Sequence, residues 1–275
     1  NTTQDMVLGI FWLTKIIPNA LGEGGIYSSP NEAILASEYG AVHLKAKIKV
    51  AVTTAPKYRD ITEAGHNYIE TSVGRLLFNS ALPNDFEYVN DEVKKKDLER
   101  MVSSLIARYG REAIPDILDK IKTFGFKYAN VSGISWGIDD LRTPVEKPVL
   151  IAEAVKQGSE IERQYNEGLL TNDERYKKVI EIWKGVKQKV DALVPKALDE
   201  YGSVFTMVSS AARGNWIQVS QMSGMRGLVL NPSGRIIELP IISNYKEGLR
   251  VLEYFISTHG ARKGIADTAL KTSAA

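Results

Sequence analysis

The most constraining feature of the sequence is a long stretch of helical periodicity, residues 148–195, that is interrupted once, at Gly168. In its second half, apolar and aromatic residues recur every three or four positions, a spacing typical of a helix that packs one stripe against a partner helix. The stripe comprises Tyr176, Val179, Ile180, Trp183, Val186, Val190 and Leu193, and the first half offers Ile151, Val155, Ile161 and Tyr165 as its partner face. The pattern predicts an antiparallel helical hairpin.

The start of the second arm is marked by a capping box. Thr171 and Glu174 stand three positions apart, so the hydroxyl and the carboxylate can each accept a hydrogen bond from a backbone N–H that has no partner inside the helix. An arm of about 23 residues is on the order of 35 Å long. Such a hairpin protrudes from its domain, and we expect its tip, residues 166–176, to be a contact surface.

The first third of the chain reads as a mixture of short strands and helices. Residues 42–50 alternate apolar and basic residues, which predicts a strand with Lys45, Lys47 and Lys49 on one solvated face. Helices are expected over residues 31–39, 91–109 and 114–123, ending at or near Gly40, Gly110 and Gly125. A further strand is expected over residues 235–239.

These elements indicate an α+β fold with a small mixed sheet, a protruding antiparallel helical hairpin and a long C-terminal helix. We expect three domains: residues 1–125 as an α+β domain, 126–205 with the hairpin, and 206–275 with the last helix.

Composition excludes several classes of protein. Hydrophobic residues make up 44% and charged residues 25%, and no apolar run reaches the roughly 18 residues that a membrane span requires. The chain has no cysteine, which excludes disulfides and thiolate sites and fits a reducing compartment. The apolar stretch near the start has no basic region before it, so we expect no export signal and a cytoplasmic location. Because the chain begins at Asn1 and stops without a helix stop signal, it reads as a piece of a longer protein.

Common catalytic constellations are missing from the sequence. The three histidines, His43, His66 and His259, have no metal-ligand spacing, and no P-loop or nucleophile elbow is present. The adjacent carboxylates Asp139 and Asp140 could suggest a metal site, but without a third ligand nearby such a pair is more often the start of a helix or part of a loop. The sequence therefore predicts no metal site of its own.

The final helix, expected over residues 245–275 from a cap at Asn244 and Glu247, carries an unusual stripe. Its small residues fall at i, i+4, i+8 and i+12: Gly260, Gly264, Thr268 and Thr272. Interior glycines each cost a helix roughly 1 kcal/mol relative to Ala, so something must approach this face closely. Arg262, Lys263 and Lys271 lie beside the stripe. The face fits either close helix–helix packing or contact with nucleic acid.

Several motifs, in order along the chain, resemble one protein family. The stretch YFISTHGARKGIADTALKT (254–272) is similar to the N-terminal half of the bridge helix of the bacterial RNA polymerase β′ subunit. Upstream, ARGN (212–215) and QMSGMRGL (221–228) resemble the F-loop region, TSVGR (71–75) and GIDD (137–140) resemble the pore region, and QDMVLG (4–9) resembles the segment after the catalytic loop. The resemblance covers essentially the whole chain.

The resemblance implies template-directed nucleotidyl transfer in transcription, by two Mg²⁺ ions held in an Asn-Ala-Asp-Phe-Asp-Gly-Asp loop that these 275 residues do not contain. No catalytic residue and no metal ligand is therefore expected here, and the chain alone should be inactive. It would form the wall of the secondary channel through which nucleoside triphosphates enter, together with part of the bridge helix. The implied partners are the β, α, ω and sigma subunits, the DNA template and the RNA.

Site residues follow from the same resemblance, position by position. Lys271 and Thr272 match the bridge-helix positions nearest the templating base, and Arg262 and Lys263 lie on the same helix. Arg213, Gln221 and Arg226 match F-loop positions, although Arg226 also fits a purely structural tie between loop and helix.

The hairpin resembles the rim helices of the channel, where cleavage factors of the Gre type and DksA insert. The expected factor-binding residues are Asp173, Glu174, Arg175, Tyr176 and Lys178. An alternative function is that of a non-catalytic scaffold that docks such channel regulators.

Overall fold

The computed structural model describes residues 2–51, 56–58 and 68–274, and within these ranges the chain is mainly helical with one small sheet. The helices are α1 (Asp5–Thr14), α2 (Pro30–Glu38), α3 (Val73–Ser80), α4 (Lys95–Ser132), α5 (Lys147–Asn166), α6 (Asn172–Ala197), α7 (Ser203–Ser209), α8 (Trp216–Val219) and α9 (Val251–Ala274). The strands are β1 (Ile26–Tyr27), β2 (Ile48–Ala51) and β3 (Tyr68–Thr71), and short 3₁₀ turns span Pro56–Tyr58 and Ile138–Asp140. The predicted α+β class is confirmed. No helix in the described ranges is both long and apolar enough to cross a bilayer.

The described chain divides into two compact units. Unit 1 comprises residues 1–135 and 206–213, and unit 2 comprises residues 136–205 and 214–275. The three domains expected from the sequence stay a prediction.

Unit 1 is built on the sheet and on the crossing of α1 and α4. Strand β2 pairs in parallel with β1 and antiparallel with β3, with Lys49 opposite Ile26 on one side and Glu70 on the other. One core cluster covers this sheet, and a second lies where α1 meets α4, around Val7, Ile10 and Ile121. The apolar stretch near the N-terminus is thus a buried helix of the unit 1 core.

Two expectations about α4 had different outcomes. Gly110 does interrupt the helix, because its φ of 71° and ψ of −177° are not helical. Gly125 does not end it, and α4 continues to Ser132 before a left-handed Gly133. Gly125 serves a different purpose: a Cβ there would lie 2.7 Å from the carbonyl oxygen of Met6, so the glycine permits the close crossing with α1.

The predicted strand over residues 42–50 was wrong in its length and in the exposure predicted for Lys45. Only Ile48–Ala51 is a strand, with Lys47 and Lys49 exposed. Lys45 lies before the strand and is buried, with its Nζ 3.9 Å from the centre of the Trp12 ring. The aromatic face attracts the ammonium group, so a lysine that alternation would place in solvent is drawn inward.

Unit 2 contains the predicted hairpin, formed by α5 and α6 with Gly168 in a left-handed conformation between them. The buried seam on α6 consists of Ile180, Trp183, Val186, Val190 and Val194, so Val194 takes the place expected for Leu193. On α5 the buried residues facing it are Ala154 and Ile161, whereas Val155 is 50% exposed and does not belong to the seam.

Two elements at the end of the chain differ from expectation. Residues 235–239 form no strand; residues 227–241 instead fold back as a ribbon held by isolated bridges, Gly227 with Ile241 and Leu230 with Ile236. The last helix begins at Val251 rather than at residue 245, because Gly248 has a φ of 83° and ends the preceding turn. In the first turns of this helix, Leu252 and Phe255 are 58% and 62% exposed.

Candidate functional site

The small-residue stripe of α9 lies open along the helix. Ala261, Gly264, Ile265, Thr268, Ala269, Thr272 and Ser273 line a shallow groove on this face. The hydroxyl of Thr268 donates to the carbonyl of Gly264, and that of Thr272 donates to the carbonyl of Thr268, both at 2.7 Å. The hydroxyls are thereby satisfied within the helix. The exposed face offers shape and apolar contact rather than free hydroxyl groups.

The cations of α9 fall into two sets. Arg262 and Lys271 are exposed, as is Thr272. Lys263 is engaged, since its Nζ lies 3.5 Å from a carboxylate oxygen of Asp267 and 3.4 Å from the carbonyl oxygen of Pro232. Two of the three predicted cations of this helix are therefore available to a polyanion, while the third is held by the ribbon.

A π-helical turn, Ser220–Gly224, places the predicted Gln221 and Arg226 side by side. The guanidinium of Arg226 donates to Oε1 of Gln221 at 2.8 Å and lies 5.2 Å from the centre of the Tyr245 ring. These contacts favour the structural interpretation of Arg226, a tie between the turn and the segment before α9. Arg213 is exposed, in the part of the chain that belongs to unit 1.

Two buried polar residues hold this region together: Asn244, which the sequence predicted only as a cap, and Glu253, which sequence reasoning missed. Asn244 is fully buried, and its Nδ2 donates to the carbonyls of Ser223 and Gly224 and to the hydroxyl of Thr143. Glu253, in the first turn of α9, accepts hydrogen bonds from the backbone N–H groups of Ile242, Ser243 and Arg250. Burial opposes ionisation of Glu253, but these bonds prevail and hold its pKa below the usual value.

Asn244 and Glu247 do form the reciprocal cap expected from the sequence, but they cap a turn and not the helix. The backbone N–H of Glu247 donates to Oδ1 of Asn244 at 2.8 Å, and that of Asn244 donates to a carboxylate oxygen of Glu247 at 3.2 Å. The same carboxylate pairs with buried Lys147 of α5 at 2.5 Å. Two features of the sequence could have revealed the later start of the helix. Gly248 can end the preceding turn, and Glu253 stands three residues after Arg250, where its carboxylate can accept from the Arg250 backbone N–H.

The rim residues expected on the hairpin also separate into two groups. Asp173, Glu174 and Lys178 are exposed near the start of α6. Glu174 completes the predicted capping box with Thr171, and the hydrogen bonds from the Thr171 backbone and hydroxyl lower its pKa. Arg175 and Tyr176 point inward instead and contact the ribbon.

The adjacent carboxylates Asp139 and Asp140 act as a turn start. Oδ2 of Asp140 accepts a hydrogen bond from the backbone N–H of Gly137 at 2.7 Å, the geometry of a cap. In the ranges for which side chains are described, no three His, Asp or Glu residues converge as metal ligands. His66 lies outside the described residues.

Three family models match consecutive parts of the chain. Residues 1–141 match RNA polymerase Rpb1, domain 3; residues 170–246 match domain 4; and residues 248–275 match domain 5. The chain belongs to the family of RNA polymerase β′ subunits. The domain 4 match contains α6, the π-helical turn and the ribbon, and the domain 5 match begins at Gly248, just before α9.

Curated β′ subunits of DNA-directed RNA polymerase are similar along nearly the whole chain. That of Pelotomaculum thermopropionicum is 46% identical over 98% of this chain, and that of Acidothermus cellulolyticus is 45% identical over 98%. The subunit of Caldanaerobacter subterraneus is also 45% identical. The chain spans only 22% to 24% of the length of these relatives.

Proposed function

We propose that this chain is the part of a DNA-directed RNA polymerase β′ subunit that forms the wall of the nucleotide-entry channel and the N-terminal half of the bridge helix. The observation that carries the proposal is the open face of α9, where a stripe of small residues lies beside exposed Arg262 and Lys271. A narrow helix face lined mainly by small residues admits a base pair, and the flanking cations suit a phosphate backbone. Its partners would be the other polymerase subunits, β, α, ω and sigma, with template DNA and RNA.

The role of this chain in nucleotidyl transfer would be to support the reaction rather than to carry it out. The described residues do not fit a Mg²⁺ site, since no cluster of three suitable ligands is present among them. From the family resemblance, we assign the Mg²⁺ of the complete enzyme to residues outside this chain. Lys271 and Thr272 would lie nearest the templating base, and the 275-residue chain by itself is expected to make no RNA.

A matched pair of substitutions on α9 tests the proposal in a reconstituted polymerase. Thr268→Leu places a bulky side chain on the stripe, and Ala266→Leu places the same side chain about 200° around the helix, at another exposed position. Thr268→Leu should slow elongation by roughly ten-fold or more, on the order of 1.4 kcal/mol of lost transition-state stabilisation. Ala266→Leu should slow it much less. Equal rates for the two variants would contradict the proposal.

A second candidate function is supported by the hairpin tip. Exposed Asp173 and Lys178, at the start of a helical arm, suit docking of a coiled-coil factor of the Gre or DksA type. This scaffold function requires no chemistry in the chain itself.

Charge reversal at the tip tests the docking. The double variant Asp173→Lys with Lys178→Glu should weaken binding of a Gre-type factor several-fold, while basal elongation by the reconstituted enzyme stays near normal. Glu174 is left unchanged because it caps α6. Lys196→Glu, an exposed reversal at the other end of α6, is the control. Factor binding that survives the double variant would argue against docking at this tip.

A further inference from the structure

Arg175 joins three segments of unit 2 near the tip of the hairpin. Its guanidinium donates to both carboxylate oxygens of Glu238 in the ribbon, at 2.7 and 3.2 Å. It also lies 3.5 Å from a carboxylate oxygen of Glu162 on α5 and donates to Oδ1 of Asn172. The side chain is only 17% exposed. A two-point contact of this kind fixes orientation as well as distance.

Tyr176 forms a second, independent contact between α6 and the ribbon. Its hydroxyl donates to the carbonyl of Ile236 at 3.0 Å, and the guanidinium of Arg235 lies 4.3 Å from the centre of its ring. The ribbon is therefore held to α6 through Arg235, Ile236 and Glu238, by a cation–π contact, a hydrogen bond and an ion pair respectively.

The first arm of the ribbon, residues 227–232, lies against α9. A Cβ at Gly260 would lie 3.5 Å from Cβ of Val229 and 3.6 Å from the carbonyl oxygen of Leu230, which are ordinary van der Waals distances, so the helix packs beside the ribbon at this position. The ammonium of Lys263, one turn further on, reaches the carbonyl of Pro232. At the base of the ribbon, Glu253 binds the backbone N–H groups of Ile242 and Ser243.

Backbone hydrogen bonds join the two arms of the ribbon between these contacts. Gly227 and Ile241 exchange two backbone hydrogen bonds, of 2.9 and 3.0 Å. Further along, the backbone N–H of Ile237 donates to the carbonyl of Val229, and that of Asn231 donates to the carbonyl of Arg235. The two arms of the ribbon cannot shift independently without breaking this ladder.

We propose that Arg175, with Glu238 and Tyr176, is a positioning residue that sets the place of α9 through the ribbon. The inference rests on the proposed function in one respect, that the position of α9 governs elongation. Arg175 belongs to the rim that was expected to bind factors, but its contacts assign it to the support of the bridge helix. The hairpin and α9 are thus two ends of one connected structure within unit 2.

Hydrogen exchange on the full 275-residue chain tests the connection. Arg175→Gln removes the ion pair, and the amides of residues 258–264 should then exchange roughly ten-fold faster. The amides of residues 183–190, in the hairpin seam, should keep their wild-type rates. Lys184→Glu, an exposed change on the same helix, is the control and should alter neither set. Unchanged exchange at residues 258–264, or equal acceleration in the seam, would overturn the proposal.

Exchanging the charges of Arg175 and Glu238 tests whether a restored ion pair recovers the protection from hydrogen exchange. Arg175→Glu should accelerate exchange at residues 258–264, and Arg175→Glu with Glu238→Arg should recover at least half of the lost protection. Recovery is expected to be incomplete because Glu162 remains beside position 175. No recovery in a folded double variant would count against the ion pair as the link.

Elongation by the reconstituted polymerase tests the functional step. Arg175→Gln should lower kcat several-fold and leave KM for nucleoside triphosphates within about two-fold, because the variant displaces α9 and removes no substrate contact. Normal elongation by Arg175→Gln, in an enzyme that Thr268→Leu does slow, would overturn the positioning role alone. If Thr268→Leu also elongates normally, the proposed function itself fails.

Discussion

At the scale of single residues, unit 1 buries the cations Lys45, Lys57 and Arg75 against an aromatic ring or backbone carbonyls. Lys45 lies over the Trp12 ring. Lys57 donates to the carbonyls of Asn79 and Leu82, just past the end of α3. Arg75 donates from Nε to the carbonyl of Thr14 at 2.9 Å. Burial lowers the pKa of both lysines to about 8, and nearby Lys15 contributes to the shift at Lys45.

The lowered lysine pKa values predict an unusual dependence of stability on pH. Between about pH 8 and 10 the unfolded chain holds more protons on these lysines than the folded chain, so the free energy of unfolding should rise with pH. Each lysine should contribute about 1–2 kcal/mol across this window. Lys45→Met should remove its share, as measured by urea unfolding at pH 8 and pH 10. Lys47→Met, two residues away and exposed, should preserve the full rise.

The sequence could predict some site residues and not others, for physical reasons. The stripe from Gly260 to Thr272 follows from helical spacing alone, and the Thr171 cap follows from local chemistry. Asn244, Glu253 and the pairing of Arg175 with Glu238 depend on contacts between residues far apart along the chain or on backbone turned away from helix geometry. No local pattern separates such a buried asparagine or arginine from an exposed one.

At the scale of elements, a glycine in a helix has opposite effects on stability at a close helix crossing and at an open position. At Gly125 an added Cβ would meet the backbone of Met6, at 2.7 Å from the oxygen and 2.8 Å from Cα. At Gly158 in α5 it would meet nothing within 4 Å. The first glycine is required by packing of α1 on α4, and the second only weakens its helix.

Alanine substitutions should therefore have opposite signs at these two glycines. Gly125→Ala should destabilise the chain by about 2 kcal/mol or more, because backbone atoms cannot yield to the new methyl group without moving a helix. Gly158→Ala should stabilise it by about 0.5–1 kcal/mol. Thermal unfolding of both variants provides the comparison. A stabilising effect of Gly125→Ala would mean that α1 and α4 cross less closely than described.

The hairpin seam provides a second prediction at this scale. Trp183 is 7% exposed within the cluster that includes Ala154 and Val186, and Trp183→Ala should cost about 3–5 kcal/mol. Val155→Ala, at a position that periodicity assigned to the seam but that is half exposed, should cost less than about 1 kcal/mol. Denaturant midpoints for the two variants would distinguish the buried seam of the hairpin from the exposed side of α5 that carries Val155. Similar losses would restore Val155 to the seam.

Element prediction succeeded where pattern and local chemistry agreed. The hairpin, its turn at Gly168 and the break at Gly110 were all predictable, since spacing and glycine conformation point the same way. The strand at residues 42–50 and the end at Gly125 failed because tertiary contacts, with Trp12 and with Met6, decided the outcome. The predicted strand over residues 235–239 was wrong because the two arms of the ribbon are paired too sparsely to form strands.

At the scale of the whole molecule, α9 exposes several large apolar and aromatic side chains within the part of the chain that the structure describes. Val251 is 90% exposed, Ile265 73% and Leu270 66%. A helix exposed on this scale gains little from tertiary packing, and isolated helices are marginal in water. Such a surface is expected to be covered when the polymerase assembles.

Assembly should therefore change the exchange behaviour of α9 more than that of the hairpin. Amides of residues 264–272 should exchange quickly in the 275-residue chain and become at least ten-fold more protected in the reconstituted enzyme. Seam amides of residues 183–190 should change little, because their packing is complete within the hairpin. Strong protection of residues 264–272 in the chain alone would show that the helix stands without partners.

The discontinuity of unit 1 has a consequence for the order in which the chain folds during synthesis. Ala212 belongs to its core, and the carbonyl of Ser210 accepts a hydrogen bond from the N–H of Lys95, yet residues 136–205 belong to unit 2. A ribosome that builds the chain from its N-terminus delivers the whole hairpin before it delivers the last residues of this core. The hairpin, with its local contacts, can close at once, whereas the earlier half must wait for a segment made later.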